Sequence, residues 1–198
     1  MATEVLKPDA RRELILGGQR SGKSRRAEQR AAEWLARSPT HRAVLIATAT
    51  AHDDEMRERI ARHRADRAQR VPALATVEES LHLGAALARH SEPGTLVLVD
   101  CLTLWLTQLL MPADAVVDVD TAPHDLDTAQ SALLHALHDA HGPVVLVSNE
   151  IGLGVIPMGR EVRAFVDAQG RLNQAVAAAC DRVTLMAAGL PLSLKEPS

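Results

Sequence analysis

A glycine-rich loop between an apolar run and a helix-forming segment constrains this chain more than any other feature. Residues 14–16 (LIL) lead directly into residues 17–24 (GGQRSGKS), and a helix-favouring stretch follows from Arg25. The spacing Gly-x-x-x-x-Gly-Lys-Ser between a strand and a helix is that of a P-loop, which holds the phosphates of a nucleotide. The residues predicted to bind nucleotide here are Gly17, Gly18, Gln19, Arg20, Ser21, Gly22, Lys23 and Ser24.

Each residue type in the loop has a chemical reason to be there. Gly17 and Gly22 permit backbone angles that a side chain would forbid, so the loop can turn its N–H groups toward a phosphate chain. Lys23 supplies a positive charge for the β- and γ-phosphate oxygens and is a candidate catalytic residue, with Arg20 as a second source of charge. The Ser24 hydroxyl is a candidate ligand for Mg²⁺.

Composition and charge restrict the class of protein further. The 198 residues are 46% hydrophobic with a formal net charge of −3, which predicts one core-forming domain (residues 13–198) and argues against nucleic acid as a partner. Residues 1–12 are polar and are predicted to be a flexible extension. We find no apolar run of membrane-spanning length and no signal peptide, and Cys101 and Cys180 lack a disulfide or metal spacing, so a cytoplasmic location is expected.

The order of segments predicts an α/β fold, a mostly parallel sheet flanked by helices around the P-loop. Short runs that are apolar throughout alternate with longer amphipathic segments, as in parallel sheets covered on both faces. The predicted strands are residues 14–16, 43–47, 95–100, 144–150 and 182–187. The predicted helices are approximately residues 23–37, 55–69, 81–89, 102–110, 125–140 and 160–179.

Polar residues follow the predicted strands at the edge where such sheets bind ligands. Residues 48–50 follow one strand, and Asp100 and Glu150 end two others. Asp100 is expected at a strand tip beside the P-loop, where it would hold Mg²⁺. Glu150 has two interpretations. It is either the base that accepts the proton of the substrate hydroxyl or a hydrogen-bond acceptor for the glycine-containing loop that follows it. Asp100 is the other candidate for the base.

Histidine occurs in two patterns. His63 lies on an arginine-rich predicted helix with Arg59, Arg64 and Arg67, which would disfavour its protonated form and hold a phosphate, as a nucleophile on phosphorus requires. The alternative is that His63 packs at the boundary of the core beside a solvated arginine face. The other pattern has no known metal spacing and predicts surface histidines at His124, His135, His138 and His141.

Taken together, these motifs resemble those of the bifunctional adenosylcobinamide kinase / adenosylcobinamide-phosphate guanylyltransferases of cobalamin synthesis. The resemblance extends over nearly the whole chain, from about Leu14 to Leu194. Beyond the P-loop, it is carried by residues 46–48 (IAT), 54–56 (DEM), 59–60 (RI), 63–64 (HR), 98–103 (LVDCLT), 149–157 (NEIGLGVIP) and 170–174 (GRLNQ).

The resemblance implies two activities. One transfers the γ-phosphate of ATP or GTP to adenosylcobinamide, and the other transfers GMP from GTP, through a guanylylated histidine, to adenosylcobinamide phosphate. It places that histidine at His63, with Mg²⁺ held by Ser24 and Asp100. Its nucleotide contacts outside the P-loop fall on Thr48, Ala49, Thr50, Arg64, Ala65, Asp66, Arg67, Glu78 and Asp100, with Glu79 as the alternative to Glu78.

The resemblance also implies a homo-oligomer, a trimer. Two other functions remain open from the residues alone: a kinase of another small metabolite without a covalent nucleotide, and a nucleotide-binding regulatory module. One geometric question is also open, because the P-loop places a triphosphate for γ-transfer whereas His63 must reach an α-phosphate. Either the helix that carries His63 moves or the nucleotide binds differently in the two reactions.

Overall fold

A computed structural model describes residues 11–51, 54–111, 125–155 and 158–197 of the chain, without the side chains of residues 55, 56 and 59. The strands are β1 (Arg12–Gly17), β2 (Arg42–Ala47), β3 (Leu74–Glu78), β4 (Thr95–Asp100), β5 (Val144–Val147), β6 (Arg182–Ala187) and β7 (Leu190–Lys195). The helices are α1 (Lys23–Ala36), α2 (Asp54–Arg70), α3 (Leu83–His90), α4 (Leu102–Leu110), α5 (Leu126–His138) and α6 (Arg160–Ala179).

The seven strands form one sheet in the order β3-β2-β4-β5-β1-β6-β7, parallel except for the pair β6–β7. Alternate residues of each strand point to opposite faces. Leu14 and Leu16 therefore join a core cluster with α3, α4, α5 and α6, whereas Ile15 joins a second cluster with α1. Both faces are covered, which explains the apolar strands and confirms the predicted fold class.

Two strands were not predicted, and a third ends earlier than predicted. β3 has only one buried residue, Leu74, and β7 is exposed along its whole length, so neither has the apolar run of a buried strand. β7 forms because Ala188 (φ 52°) and Gly189 (φ 81°) make the left-handed two-residue turn that reverses the chain after β6. β5 ends at Val147, before the predicted end at residue 150.

Two residues of the predicted N-terminal extension, Arg11 and Arg12, are held against Asp181. The Asp181 carboxylate accepts hydrogen bonds from the backbone N–H groups of Arg11 and Arg12 at 3.1 and 2.9 Å, and Arg12 already belongs to β1. Residues 1–10 lie outside the described part of the chain, as do most of the predicted loop 111–123 and His124. Among the helices that the structure describes, none is long and apolar enough to cross a membrane.

Candidate functional site: a phosphate cradle and a neighbouring cavity

The P-loop has the backbone conformation that its glycines predict. Gly17, Arg20 and Gly22 all have positive φ, at 153°, 55° and 100°. A Cβ at Gly17 would lie 2.5 Å from both the Met186 carbonyl oxygen and the Ser21 Oγ, so no side chain fits at this position. The turn therefore brings the loop back over the end of β1 and directs the chain into α1.

The loop is organised to receive an anion. Gly22 is the N-cap residue of α1 and no side chain caps this helix, so its first N–H groups face the loop. Lys23 is buried, and its Nζ donates to the Gly18 carbonyl oxygen at 2.6 Å, which holds the amine over the loop. The buried Ser21 Oγ has no hydrogen-bond partner among the described residues. These groups form an open cradle of N–H, amine and hydroxyl groups at the place where the sequence predicts a nucleotide site.

The strand order shows where Asp100 and Glu150 lie relative to the P-loop. Asp100 ends β4, and β5 lies between β4 and β1, so the strand that ends in Asp100 is not the immediate neighbour of the strand that leads into the P-loop. Glu150 is the acidic residue next to the loop, because its N–H donates to the Gly17 carbonyl oxygen at 3.1 Å. The Glu150 Oε1 accepts a hydrogen bond from the Gly152 N–H at 3.1 Å, as the second interpretation of this residue expected.

The Thr48 hydroxyl bonds within the protein. Its side chain is fully buried, and its hydroxyl donates to the Cys101 carbonyl oxygen at 2.7 Å and accepts from the Cys101 N–H at 2.9 Å. Both hydrogen-bonding functions are thus used to join the end of β2 to the start of α4. The Thr48 side chain therefore shapes the edge of the sheet beside Asp100, and the predicted contact of Thr48 with nucleotide stays a prediction.

A cavity of about 480 Å³ lies beyond this point, between the ends of β2 and β3 and the first half of α2. Its volume is within the range of small-molecule sites. Four of the residues carried over by resemblance line it: Ala49, Thr50, Arg64 and Glu78. An ion pair between Arg64 and Glu78 joins α2 to the end of β3 across this cavity. The structure therefore brings together residues that lie up to 29 positions apart in the chain.

Two adjacent acids at this cavity have different environments. Glu78 is exposed and pairs with Arg64, whereas Glu79 accepts the N–H groups of Leu81 and His82 at 3.0 and 2.8 Å. Burial raises the pKa of Glu79, but these two N–H groups and the charges of His82 and Arg89 lower it below its ordinary value. Glu79 is thus occupied with the backbone before α3, which favours Glu78 as the acidic residue of the site.

The helix α2 presents His63 to solvent. His63 is exposed, so the alternative in which it packs at the core boundary does not hold. Arg57, Ile60 and Arg64 line the cavity from α2, and His63 follows Ile60 by three residues, which places it beside that face. The Arg59 side chain lies outside the described residues.

The end of α2 is held by the P-loop helix. Glu28 of α1 has a 4% exposed side chain, and its carboxylate pairs with Arg67 Nε at 3.7 Å and with Arg70 Nη1 at 2.5 Å. Arg67 also donates to the Thr76 hydroxyl at 3.3 Å, and Asp66 pairs with Arg70 at 3.1 Å. Arg67 and Asp66 are not among the residues that line the cavity, and their predicted contact with nucleotide stays a prediction. Ala65 is exposed.

Two residues that hold the cavity and α2 in place, Gln108 and Glu28, were not predicted from the sequence. Gln108 of α4 donates to the Thr50 hydroxyl and so holds one wall of the cavity. The sequence of α4 predicts only an apolar helix that packs in the core, so this role was missed. Glu28 was missed because a single acid on an amphipathic helix gives no sign of its partners. His135, His138 and His141 are exposed, as expected, and the described residues contain no cluster of three metal-ligating side chains.

Comparison with known proteins agrees with this geometry. The family model described as cobinamide kinase / cobinamide phosphate guanyltransferase matches residues 13–194. The bifunctional adenosylcobalamin biosynthesis protein CobP of Pseudomonas aeruginosa is 52% identical over 186 residues, which cover 93% of this chain and 97% of CobP. The corresponding CobU proteins of Escherichia coli and Salmonella typhimurium are 34% and 35% identical, with 92% of this chain and 98% of each relative covered.

A solved structure shows the same fold at low sequence identity. The flagellar accessory protein FlaH of Methanocaldococcus jannaschii is 11% identical, with a TM-score of 0.52, and the match covers 94% of this chain and 78% of FlaH. At this identity the likeness concerns the fold alone. The family match over residues 13–194 and the CobP and CobU relatives show more: this chain belongs to the cobinamide kinase / cobinamide phosphate guanyltransferase family, as the resemblance of its motifs predicted.

Proposed function

We propose that this chain phosphorylates adenosylcobinamide with ATP or GTP and then transfers GMP from GTP to adenosylcobinamide phosphate through a guanylylated His63. One observation carries the proposal. The same edge of the sheet holds two distinct recesses, the P-loop cradle and the cavity beneath α2, and an exposed histidine lies beside the second. A kinase without a covalent intermediate would need no histidine beside the second recess.

The kinase step uses the P-loop. The N–H groups of the loop and of α1 bind the phosphates, and Lys23 stabilises the charge on the transferring phosphoryl group. Ser24 and Asp100, both half-buried at this edge, offer the hydroxyl and carboxylate oxygens that Mg²⁺ prefers, and we assign them as its ligands. The ion would neutralise charge on the β- and γ-phosphate oxygens when bound.

The guanylyl step uses α2. The neutral imidazole of His63 forms a bond to the α-phosphorus of GTP, and the bond from that phosphorus to the β-phosphate oxygen breaks and releases pyrophosphate. A phosphate oxygen of adenosylcobinamide phosphate then attacks the same phosphorus and displaces the imidazole. Arg57 and Arg64 line the adjacent cavity and offer charge for the phosphates, while Glu78 offers a carboxylate to the nucleoside.

The two recesses bear on the geometric question left open by the sequence. β2 and β3 bound the cavity, whereas the P-loop follows β1, which is three strands away from β2 in the sheet. We propose that the nucleotide binds differently in the two reactions, with its α-phosphate near His63 only in the second.

The test is mass spectrometry of the protein after incubation with GTP and Mg²⁺. We expect an added GMP on a peptide that contains His63, no such adduct in His63→Ala, and ATP-dependent phosphorylation of adenosylcobinamide that largely persists in this variant. His135→Ala, which removes an exposed histidine of α5, is the matched control. Normal labelling of His63→Ala would contradict the assignment of the nucleophile.

We further propose that residues 13–198 act as a single domain, that the chain forms a homo-oligomer, a trimer by family resemblance, and that it works in the cytoplasm. The exposed edge strand β7, with Leu190, Leu192 and Leu194 more than half exposed, supports association between copies. Two buried cysteines that form no disulfide suit a reducing compartment. Light scattering of the purified protein tests the trimer, because a monomeric mass at micromolar concentration would contradict it.

A further inference from the structure

A group of polar side chains is buried where α6 packs against the end of β5. Ser148 and Gln169 are fully buried, and Asn173 is 4% exposed. The Ser148 hydroxyl donates to Asn173 Oδ1 at 2.7 Å, and Gln169 Nε2 donates to Ser148 Oγ and to Asn173 Oδ1, each at 3.0 Å. These three uncharged side chains form a closed network inside the core layer made by the helices.

Stability alone does not account for this network. The Gln169 Oε1 has no hydrogen-bond partner among the described residues, and an unpaired buried acceptor is destabilising. Apolar side chains would avoid that penalty, and Leu172 and Val176, which are buried on the same helix, are apolar. A buried polar network that is not needed for stability is often retained because it fixes one particular arrangement.

The network fixes the peptide groups of Asn149. The Asn173 Nδ2 donates to the Asn149 carbonyl oxygen at 3.0 Å, and the Thr103 hydroxyl of α4 accepts from the Asn149 N–H at 2.9 Å. Side chains of two helices therefore hold both backbone polar groups of the residue before Glu150. Because the Glu150 N–H donates to the Gly17 carbonyl oxygen at 3.1 Å, this arrangement sets the position of Glu150 against the P-loop.

The side chain of Glu150 is also held. It is half-buried, and its Oε1 accepts the Gly152 N–H at 3.1 Å, which restricts the rotation of the carboxylate. Asp100, the other acidic candidate for the kinase base, stands on β4 and is separated from β1 by β5. Of the two, Glu150 is the one whose backbone is bonded to the P-loop.

We propose that Glu150 accepts the proton of the substrate hydroxyl during phosphoryl transfer and that Ser148, Gln169 and Asn173 are its positioning residues. The inference rests on the proposed kinase activity. As the proton passes to the Glu150 carboxylate, the hydroxyl oxygen forms a bond to the γ-phosphorus, and the bond from that phosphorus to the β–γ bridging oxygen breaks. Nucleoside diphosphate leaves, and the carboxyl group returns its proton to water.

The test is a double-mutant cycle on the ATP-dependent phosphorylation of adenosylcobinamide. Glu150→Gln should lower kcat by about 10²- to 10⁴-fold, the usual contribution of a positioned base. Asn173→Ala should lower kcat by about 10- to 100-fold through misplacement of that base, with little change in KM for ATP and normal GMP labelling of His63. The double variant should be no slower than Glu150→Gln, because a positioning residue acts only through the carboxylate.

Asp167→Ala is the control for the helix, because Asp167 is exposed on α6, and it should leave kcat unchanged. Thermal unfolding shows whether Asn173→Ala folds. If it does not, Thr103→Val removes the other bond to the Asn149 peptide and enters the same cycle.

Two results would overturn the inference: normal kcat in Glu150→Gln, or a loss from Asn173→Ala that is as large in the Glu150→Gln background as in the wild type. A wild-type protein that does not phosphorylate adenosylcobinamide would instead refute the proposed function, and this inference with it.

Discussion

The P-loop and the helix that carries His63 lie at the same edge of one sheet but are built in different ways. In the P-loop, Lys23 is buried and already bonded to Gly18, and Gly17 is packed so closely that no side chain fits. On α2, His63 is exposed, and the Arg64–Glu78 pair beside it has side chains that are 55% and 61% exposed. One region is formed before a ligand arrives, whereas the other consists of exposed groups.

This difference suggests how two phosphate chemistries share one fold. A preformed cradle suits phosphoryl transfer, in which positioning and charge stabilisation provide most of the catalysis. An exposed helix suits the role that we propose for His63, which would bond to the α-phosphorus of GTP and then present GMP to a large second substrate. The two regions are joined where Glu28 of α1 pairs with Arg67 and Arg70 of α2.

The largest effect is expected at Lys23. Lys23→Met removes the charge that we propose stabilises the transferring phosphoryl group and should lower kcat for ATP-dependent phosphorylation by roughly 10²- to 10³-fold. GMP labelling of His63 should fall much less if the two regions bind the nucleotide in different ways. Steady-state kinetics and mass spectrometry of the same preparation measure both. Equal losses would mean that one mode of binding serves both reactions.

Removing the ion pairs that connect α1 to α2 should destabilise the fold. Glu28→Gln takes away the carboxylate that Arg67 and Arg70 share, and Arg67 would then keep an 11% exposed side chain without its ion pair. We expect the free energy of unfolding to fall by about 2 kcal/mol, the scale of buried hydrogen bonds to charged groups. Urea unfolding measures this change.

Glu33→Gln is the matched control on the same helix, because the Glu33 carboxylate is 40% exposed in its pair with Arg30. Glu33→Gln should lower the free energy of unfolding by no more than about 0.5 kcal/mol.

The same pair of regions can be compared by activity. In Glu28→Gln, GMP labelling of His63 should fall more than ATP-dependent phosphorylation does. The reverse order would show that Glu28 serves the P-loop and not α2.

The pH dependence of the free energy of unfolding tests whether the charge of Glu79 stabilises the backbone beside the cavity. The N–H groups of His82 and Leu81 outweigh burial and lower the pKa of this carboxyl in the folded state. A lowered folded pKa stabilises the protein above the unfolded pKa, and the contribution is lost as the pH falls through the folded pKa.

Glu79→Gln should therefore lower the free energy of unfolding by about 1 kcal/mol at pH 7, the scale of a backbone-capping side chain. The gap between variant and wild type should close as the pH falls through the lowered pKa of Glu79 in the folded state. Denaturant unfolding over a pH series measures it. A gap that is constant with pH would show that the charge of Glu79 plays no part in holding the residues before α3.

The two cysteines are expected to resist alkylation in the native protein. Burial raises the pKa of Cys101, which follows the strand end at Asp100, to about 12, and burial likewise raises the pKa of Cys180 to about 12. Iodoacetamide at pH 8 should therefore modify neither thiol in the native protein, because the thiolate is the reactive form. Mass spectrometry should show both modified in urea. Rapid native alkylation of Cys101 would show that this edge of the sheet opens in solution.

The sequence predicted the family, the enzyme class and the fold class, and the comparisons and the structure confirm all three. The P-loop follows from residues 17–24 alone, because its backbone angles depend on local glycines. The bounds of α6 and β6 agree with the predictions. The amphipathic pattern of the helix and the continuous apolar run of the strand are both visible in the local sequence. The assignments of His63, Lys23 and the nucleotide contacts stay predictions until the experiments above are made.

Only the tertiary structure decided which groups become neighbours. The order of strands put β5 next to β1, so that the Glu150 N–H bonds to Gly17 while Asp100 ends a strand further along, and the packing buried the Thr48 hydroxyl against Cys101. Periodicity in a sequence reports which face of a segment is buried, but not which distant segment covers it. The pairing of Arg67 with Glu28, 39 residues away in the chain, is therefore invisible until the helices are packed.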